Sequence, residues 1–61
     1  MNIPEGATVE VKLGKQSSKG TVVAVDTVHG SILVQYDEDA YGTTEWIPQE
    51  RCKLLAAPSQ S

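Results

Sequence analysis

The sequence predicts an all-β fold: a small, strongly bent antiparallel barrel of five strands, with one short 3₁₀ turn before the last strand. Apolar and polar residues alternate over residues 8–13, which is the period of a half-buried strand, and over residues 31–36 Ile32, Val34 and Tyr36 share one face while Leu33 and Gln35 share the other. Glycines stand between the β-branched segments, where tight turns are expected. The chain has 61 residues, no Phe and one Trp, so that small aliphatic side chains must fill one compact core. Closing such a sheet would also remove its exposed edges.

The first half of the chain predicts two strands separated by a polar loop. Residues 8–13 form the first strand, and residues 14–20, rich in Lys, Gln and Ser, form the loop. Residues 21–28 are dense in β-branched side chains and predict a long, bent strand that is partly buried on both sides. His29 and Gly30 then predict a tight hairpin turn, with a positive φ at Gly30.

The second half of the chain predicts three shorter strands, at residues 31–36, 43–47 and 52–55. A loop at residues 37–42, closed by Gly42, separates the first two of them. Pro48 ends the next strand, and residues 48–51 suit a single helical or 3₁₀ turn with proline at its start. By this pattern residues 1–7 are an N-terminal extension, residues 8–55 are the barrel, and residues 56–61 are a disordered tail or linker.

Composition favours a binding role over catalysis. A chain of 61 residues has no volume to spare for a buried catalytic pocket. His29 and Cys52 are single and far apart in sequence, so they predict neither a nucleophilic pair nor a metal site. The scattered glycines form no phosphate-binding run. We therefore expect no enzymatic activity, no metal and no cofactor.

Charge and cysteine content indicate the cellular compartment of the protein and the kind of partner that it binds. Eight acidic and five basic residues give a net charge of −3, which disfavours binding to nucleic acid. Asp37, Glu38 and Asp39 are consecutive, and such an acidic edge suggests a basic partner, although a solvated loop has the same composition. The single Cys52 favours a reducing intracellular compartment. No apolar run approaches the ~18 residues of a membrane span, and the N-terminus lacks the features of a signal peptide.

The aromatic residues cluster around the acidic loop. Tyr36, Tyr41 and Trp46 lie within eleven positions of one another, on both sides of Asp37–Glu38–Asp39. Aromatic faces beside carboxylates attract an alkylated ammonium group, at about 0.5–2 kcal/mol per good contact. We expect Trp46 to be the largest side chain of the core. Tyr36 and Tyr41 are the candidate binding residues.

Residues 34–55, VQYDEDAYGTTEWIPQERCKLL, resemble the second half of the Tudor and chromo-barrel domains of the Royal superfamily. The motif is a strand-end tyrosine, Tyr36, followed after nine residues by Trp46 within Glu-Trp-Ile-Pro-x-x-Arg, which includes Pro48 and ends at Arg51. The resemblance covers about three-quarters of the chain, and only residues 34–51 carry specific motifs. It implies a five-stranded barrel of a nuclear, chromatin-associated protein that binds methylated lysine or arginine in an aromatic cage.

The resemblance assigns roles to individual residues. Tyr36 matches a cage tyrosine, while Trp46, Pro48 and Arg51 match structural positions of the motif. The other cage positions of the family fall on Asp39 and Thr43, which are not aromatic. The predicted cage is therefore at most two-sided, formed by Tyr36 and Tyr41 with a carboxylate of the loop at residues 37–39.

Three kinds of partner follow from these observations. The first is a basic peptide or histone tail, methylated or unmodified, bound by Tyr36, Tyr41 and the acidic loop. The second is another protein, bound through a different face by an interaction domain whose cage is degenerate. The third is nucleic acid at Lys12, Lys15 and Lys19, which the net acidity disfavours. We expect a monomeric domain of a larger intracellular protein.

Overall fold

A computed structural model describes residues 2–58 as one five-stranded antiparallel sheet. The elements are β1 (Thr8–Leu13), β2 (Gln16–Asp26), β3 (Ser31–Tyr36), β4 (Thr44–Pro48), a 3₁₀ turn (Gln49–Arg51) and β5 (Cys52–Ala56). Hydrogen-bonded neighbours follow the order β4-β3-β2-β1-β5. The predicted all-β class, the five strands and the 3₁₀ turn before the last strand are confirmed.

The sheet is bent but open. β4 and β5 stand at the two ends of the strand order, so "barrel" describes the bend of the sheet and not its closure. Pro48 ends β4 without a backbone N–H, and the 3₁₀ turn leads the chain from one edge to the other. Gln49 ties this turn down: its N–H donates to the Gly30 carbonyl oxygen at 3.0 Å, and its Oε1 accepts the N–H of Ile3 at 3.3 Å.

The polar loop predicted at residues 14–20 is wrong. Only Gly14 and Lys15 form the turn, with φ of 66° at Gly14, and β2 begins at Gln16 opposite Leu13. Backbone hydrogen bonds hold this part of the hairpin, and its side chains face water, so the apolar period that marks a half-buried strand is missing.

The β2–β3 turn spans residues 27–30 and is two residues longer than the predicted turn at His29 and Gly30. β2 ends at Asp26, whose Oδ1 accepts the N–H groups of Val28 at 3.0 Å and His29 at 3.2 Å. This Asx-type turn competes with the strand ladder and ends β2 two residues early. The predicted positive φ at Gly30 is confirmed, at 66°.

β2 is the long bent strand that the sequence predicts. Its residues from Gln16 to Thr21 pair with β1, and those from Gly20 to Asp26 pair with β3. The register with β3 shifts between Val22 and Ala24, and a bulge of this kind increases the local bend and twist. The bend lets β1 and β3 face each other across the core.

The core is built from small aliphatic side chains on the inner face of the sheet. Its members are Ile3, Ala7, Val9, Val11, Val22, Ile32, Val34 and Ile47, with Tyr36 and Cys52 packed against them. Ile3 and Ala7 belong to the segment predicted as an N-terminal extension. The N–H of Gly6 and the carbonyl of Ala7 pair with the backbone of Val22, at 2.7 and 2.9 Å.

Trp46 does not lie in the core, and that prediction is wrong. Strand alternation places Ile47 on the inner face of β4 and Trp46 on the outer face, opposite Leu33, where its side chain is 53% exposed.

The predicted C-terminal tail begins too early, because Ala56 belongs to β5, and residues 59–61 of that tail lie outside the described residues. Within residues 2–58 no helix could cross a membrane.

We predict that Gly20→Ala strongly destabilises the protein. A Cβ at Gly20 would collide with Cγ1 of Val34 and lie 2.7 Å from the Gln35 carbonyl oxygen, which is backbone and cannot rotate away. Overpacking of this kind costs about 3 kcal/mol of unfolding free energy. Urea unfolding of both proteins measures the difference.

Gly14→Ala is the control for glycine replacement. A Cβ there meets nothing within 4 Å, so only the positive φ of 66° opposes it, at about 1 kcal/mol. Equal losses in the two variants would contradict the close approach at Gly20.

Candidate functional site

A cleft of about 380 Å³ opens beside the end of β3. Its lining residues are Glu10, Ser17, Ser18, Lys19, Tyr36, Asp37 and Glu38. Three of the residues predicted for the binding site, Tyr36, Asp37 and Glu38, are therefore together. Three carboxylates and one ammonium group surround the cleft, which makes it locally acidic.

The β1–β2 hairpin supplies one wall of this cleft. Glu10 and Lys19 stand directly opposite each other in the ladder, and Ser17 and Ser18 lie nearer the turn. The sequence prediction missed these residues because it assigned residues 14–20 to a loop. The alternation of Glu10 with the buried Val9 and Val11 was the available signal, since it places Glu10 on the outer face.

The other wall is fixed to β2 by Asp37. The Asp37 N–H donates to the Lys19 carbonyl oxygen at 3.0 Å, and the Thr21 hydroxyl donates to its Oδ1 at 3.3 Å. The backbone bond continues the β2–β3 pairing for one residue past β3. The start of the acidic loop is thus attached to a central strand.

Tyr36 is half-buried at the end of β3, opposite Gly20, and its ring packs against the core. Its hydroxyl donates to Oε2 of Glu45 at 3.3 Å. Burial raises the pKa of the Tyr36 hydroxyl, and the negative charge of Glu45 raises it further. The phenol therefore remains a neutral hydrogen-bond donor to Glu45.

Asp39 organises the acidic loop. Its Oδ1 accepts the N–H of Tyr41 at 2.9 Å and its Oδ2 accepts the N–H of Thr43 at 3.2 Å. Its own N–H donates to the Tyr36 carbonyl oxygen at 3.2 Å, and its carbonyl accepts the N–H of Gly42 at 3.1 Å. Hydrogen bonds from Thr43 and from Tyr41 lower the pKa of the Asp39 carboxyl. With both oxygens engaged, Asp39 shapes the loop and does not line the cleft.

Tyr41 also lies away from the cleft. Its side chain is 95% exposed, and the structure does not place it beside Tyr36 on the cleft wall. The other predicted motif residues lie in the connection between β4 and β5: Pro48 directly precedes the 3₁₀ turn, and Arg51 is the last residue of that turn. Among the described residues, Tyr36 is thus the aromatic residue that lines the cleft.

The two side chains best suited to catalysis are engaged elsewhere. His29 Nδ1 lies 2.7 Å from Oδ2 of Asp26 in the β2–β3 turn, and this contact lowers the pKa of the Asp26 carboxyl. Cys52 begins β5, where its thiol donates to the Pro48 carbonyl oxygen at 3.8 Å and burial raises its pKa. Within residues 2–58 no group of three potential ligands is placed to hold a metal ion.

Comparison with protein-family models, curated proteins and solved structures finds no match to this chain. The resemblance to Tudor and chromo-barrel domains therefore stays a prediction from the residues of the motif.

We predict that Asp39→Ala loosens the loop and weakens the dependence of stability on acid pH. The Asp39 pKa lies below its ordinary value of 3.8 in the folded protein, so its stabilising effect is present above that value. The effect is lost as the pH falls through the folded-state pKa. Urea midpoints measured near neutral pH and in acid should therefore differ less in Asp39→Ala than in the parent.

Glu38→Gln removes a neighbouring carboxylate that is exposed, and it serves as the charge-matched control. It should leave the acid dependence close to that of the parent. The same loss of acid dependence in both variants would show that loop charge, and not hydrogen bonding by Asp39, is responsible.

Proposed function

We propose that this protein is a non-catalytic binding module that takes a basic side chain of a peptide into the cleft beside Tyr36. The observation that carries this proposal is that Glu10, Asp37 and Glu38 line one cleft together with Tyr36. A cation there meets carboxylates and an aromatic ring whose position is held by the core and by Glu45.

The chemistry of the cleft favours weak binding. Lys19 offsets one of the three carboxylates, so the cleft keeps an excess of negative charge. A cation on an exposed aromatic ring gains about 0.5–1 kcal/mol, and an exposed ion pair contributes a similar amount. Contributions of this size predict a dissociation constant of about 1 mM or weaker for a short peptide.

Methylated lysine or arginine of a chromatin-type peptide is the narrower form of this proposal. One ring and several carboxylates favour positive charge itself over methylation, because methyl groups gain most where several rings enclose them. We therefore expect lysine, trimethyl-lysine and arginine peptides to bind with affinities within about threefold of each other.

We predict that a lysine peptide shifts the amide resonances of Lys19, Asp37 and Glu38 in NMR titrations. The acetyl-lysine form of the same peptide lacks the charge and should bind at least about fivefold more weakly. Asp37→Asn combined with Glu38→Gln should weaken the lysine peptide by a similar factor. Glu5→Gln combined with Glu50→Gln removes the same charge from two exposed acids outside the cleft, and this matched control should bind as the parent does.

Two results would contradict this proposal. One is equal binding of the lysine and acetyl-lysine peptides. The other is an equal loss of affinity in the control and in the Asp37→Asn, Glu38→Gln variant, since overall charge would then explain the binding.

A second candidate function is a protein-interaction domain that binds through its outer face. The observation in its favour is the side chain of Trp46, which is 53% exposed and opposite Leu33. Large aromatic side chains often anchor protein interfaces.

Trp46 is the single tryptophan of the chain, so its fluorescence distinguishes the two functions. It does not line the cleft, and we predict that a lysine peptide leaves its emission maximum unchanged. A blue shift on binding would indicate burial of Trp46 and would favour the outer face as the binding surface.

A further inference from the structure

A second and larger concavity lies beside the start of β5, which is an edge strand of the sheet. Its volume is about 1020 Å³, and it is bounded by the start of β5, the 3₁₀ turn, the end of β1 and the N-terminal segment. We call it the β5 groove. None of its lining residues lines the cleft beside Tyr36, and the two sites meet only where Lys53 of the groove stands opposite Glu10 of the cleft in the β1–β5 ladder.

The floor of the β5 groove is core surface that no further strand covers. Leu54 pairs with Val9, and directly opposite residues of an antiparallel pair project to the same face. Val9 is 0% exposed, whereas Leu54 is 38% exposed. The difference arises because Val9 has a strand on each side, while β5 is the last strand of the sheet.

The rim of the β5 groove is basic, although the chain as a whole is acidic. Lys12, Arg51 and Lys53 line it, against Glu50 as the one acidic lining residue. These are three of the five Lys and Arg residues of a chain with a net charge of −3. Among residues 2–58 the one contact of salt-bridge length joins His29 to Asp26, so no described carboxylate is paired with these three cations.

We propose that the β5 groove binds an extended, acidic peptide segment that adds to the sheet as a sixth strand beside β5. An edge strand presents unpaired backbone N–H and C=O groups, which an added strand satisfies. An apolar side chain of that segment covers Leu54, and acidic side chains face Lys12, Arg51 and Lys53. The class of ligand is therefore opposite in charge to that of the cleft beside Tyr36.

The same charges argue against a second copy of this chain as the occupant. Symmetric pairing of two β5 strands would bring Arg51 and Lys53 of one copy close to those of the other. Like charges on neighbouring strands are destabilising. A different chain that carries acidic side chains meets no such repulsion.

The test uses a short synthetic peptide that alternates glutamate with valine, titrated into the isotope-labelled protein. We expect amide shifts in β5 and the 3₁₀ turn, and slower hydrogen exchange of the β5 amides on binding. A matched peptide that alternates lysine with valine should not produce these changes. Added salt should weaken binding, because the rim is exposed.

Charge reversal on the rim supplies the variants. Lys12→Glu and Arg51→Glu should each weaken the glutamate peptide by about fivefold. Lys15→Glu makes the same change of charge in the exposed β1–β2 turn, outside the groove, and should leave the affinity unchanged. Lys53 is left intact because it stands opposite Glu10 in the β1–β5 ladder.

Three results would overturn the proposal. The first is the absence of shifts in β5 at millimolar peptide. The second is an equal loss of affinity in Lys15→Glu and in the two rim variants, which would indicate non-specific attraction. The third is concentration-dependent self-association that protects the β5 amides without peptide, which would make a second copy the occupant.

Discussion

The close packing of strands at Gly20 is the constraint on which the rest of the structure depends. Gly20 is buried and pairs with Val9 of β1 and with Tyr36 of β3, so β2 changes partners at this residue. Any Cβ there would meet Val34 and the backbone of Gln35. The glycine, together with the register shift between Val22 and Ala24, bends one strand enough to enclose a core of small aliphatic side chains.

Because the core is small, the large aromatic side chains lie at its rim or outside it, and this determines where the candidate binding surfaces lie. Five Val and Ile side chains fill its centre, and the aromatic residues remain at its rim or outside it. Tyr36 stands at the rim, where the acidic cleft opens, and Trp46 lies on the outer face. Because the sheet stays open between β4 and β5, it also leaves a basic groove beside the start of β5. The two sites therefore carry opposite charge on one small domain.

The fold could be predicted from the sequence wherever the period-two pattern of apolar side chains along a strand determines the structure. Residues 8–13 alternate in polarity and residues 31–36 place Ile32, Val34 and Tyr36 on one face, and β1 and β3 have these bounds. The start of β2 could not be predicted, because backbone pairing alone holds its polar residues in the sheet. Trp46 was misassigned for a related reason: a period of two gives two faces, and only tertiary packing tells which one faces the core.

The candidate site was predictable in part. Tyr36, Asp37 and Glu38 are adjacent in sequence, and the structure places them on one cleft. Glu10 and Lys19 reach the same cleft through the β1–β2 ladder, which is a long-range pairing. We propose that this bent, open sheet carries two independent binding sites of opposite charge. One NMR experiment tests it directly, in which the lysine peptide and then the glutamate–valine peptide are added to the same sample. We expect the first to shift residues 19 and 36–38, the second to shift β5, and neither to displace the other; mutual displacement, or shifts of the same amides by both peptides, would contradict the claim.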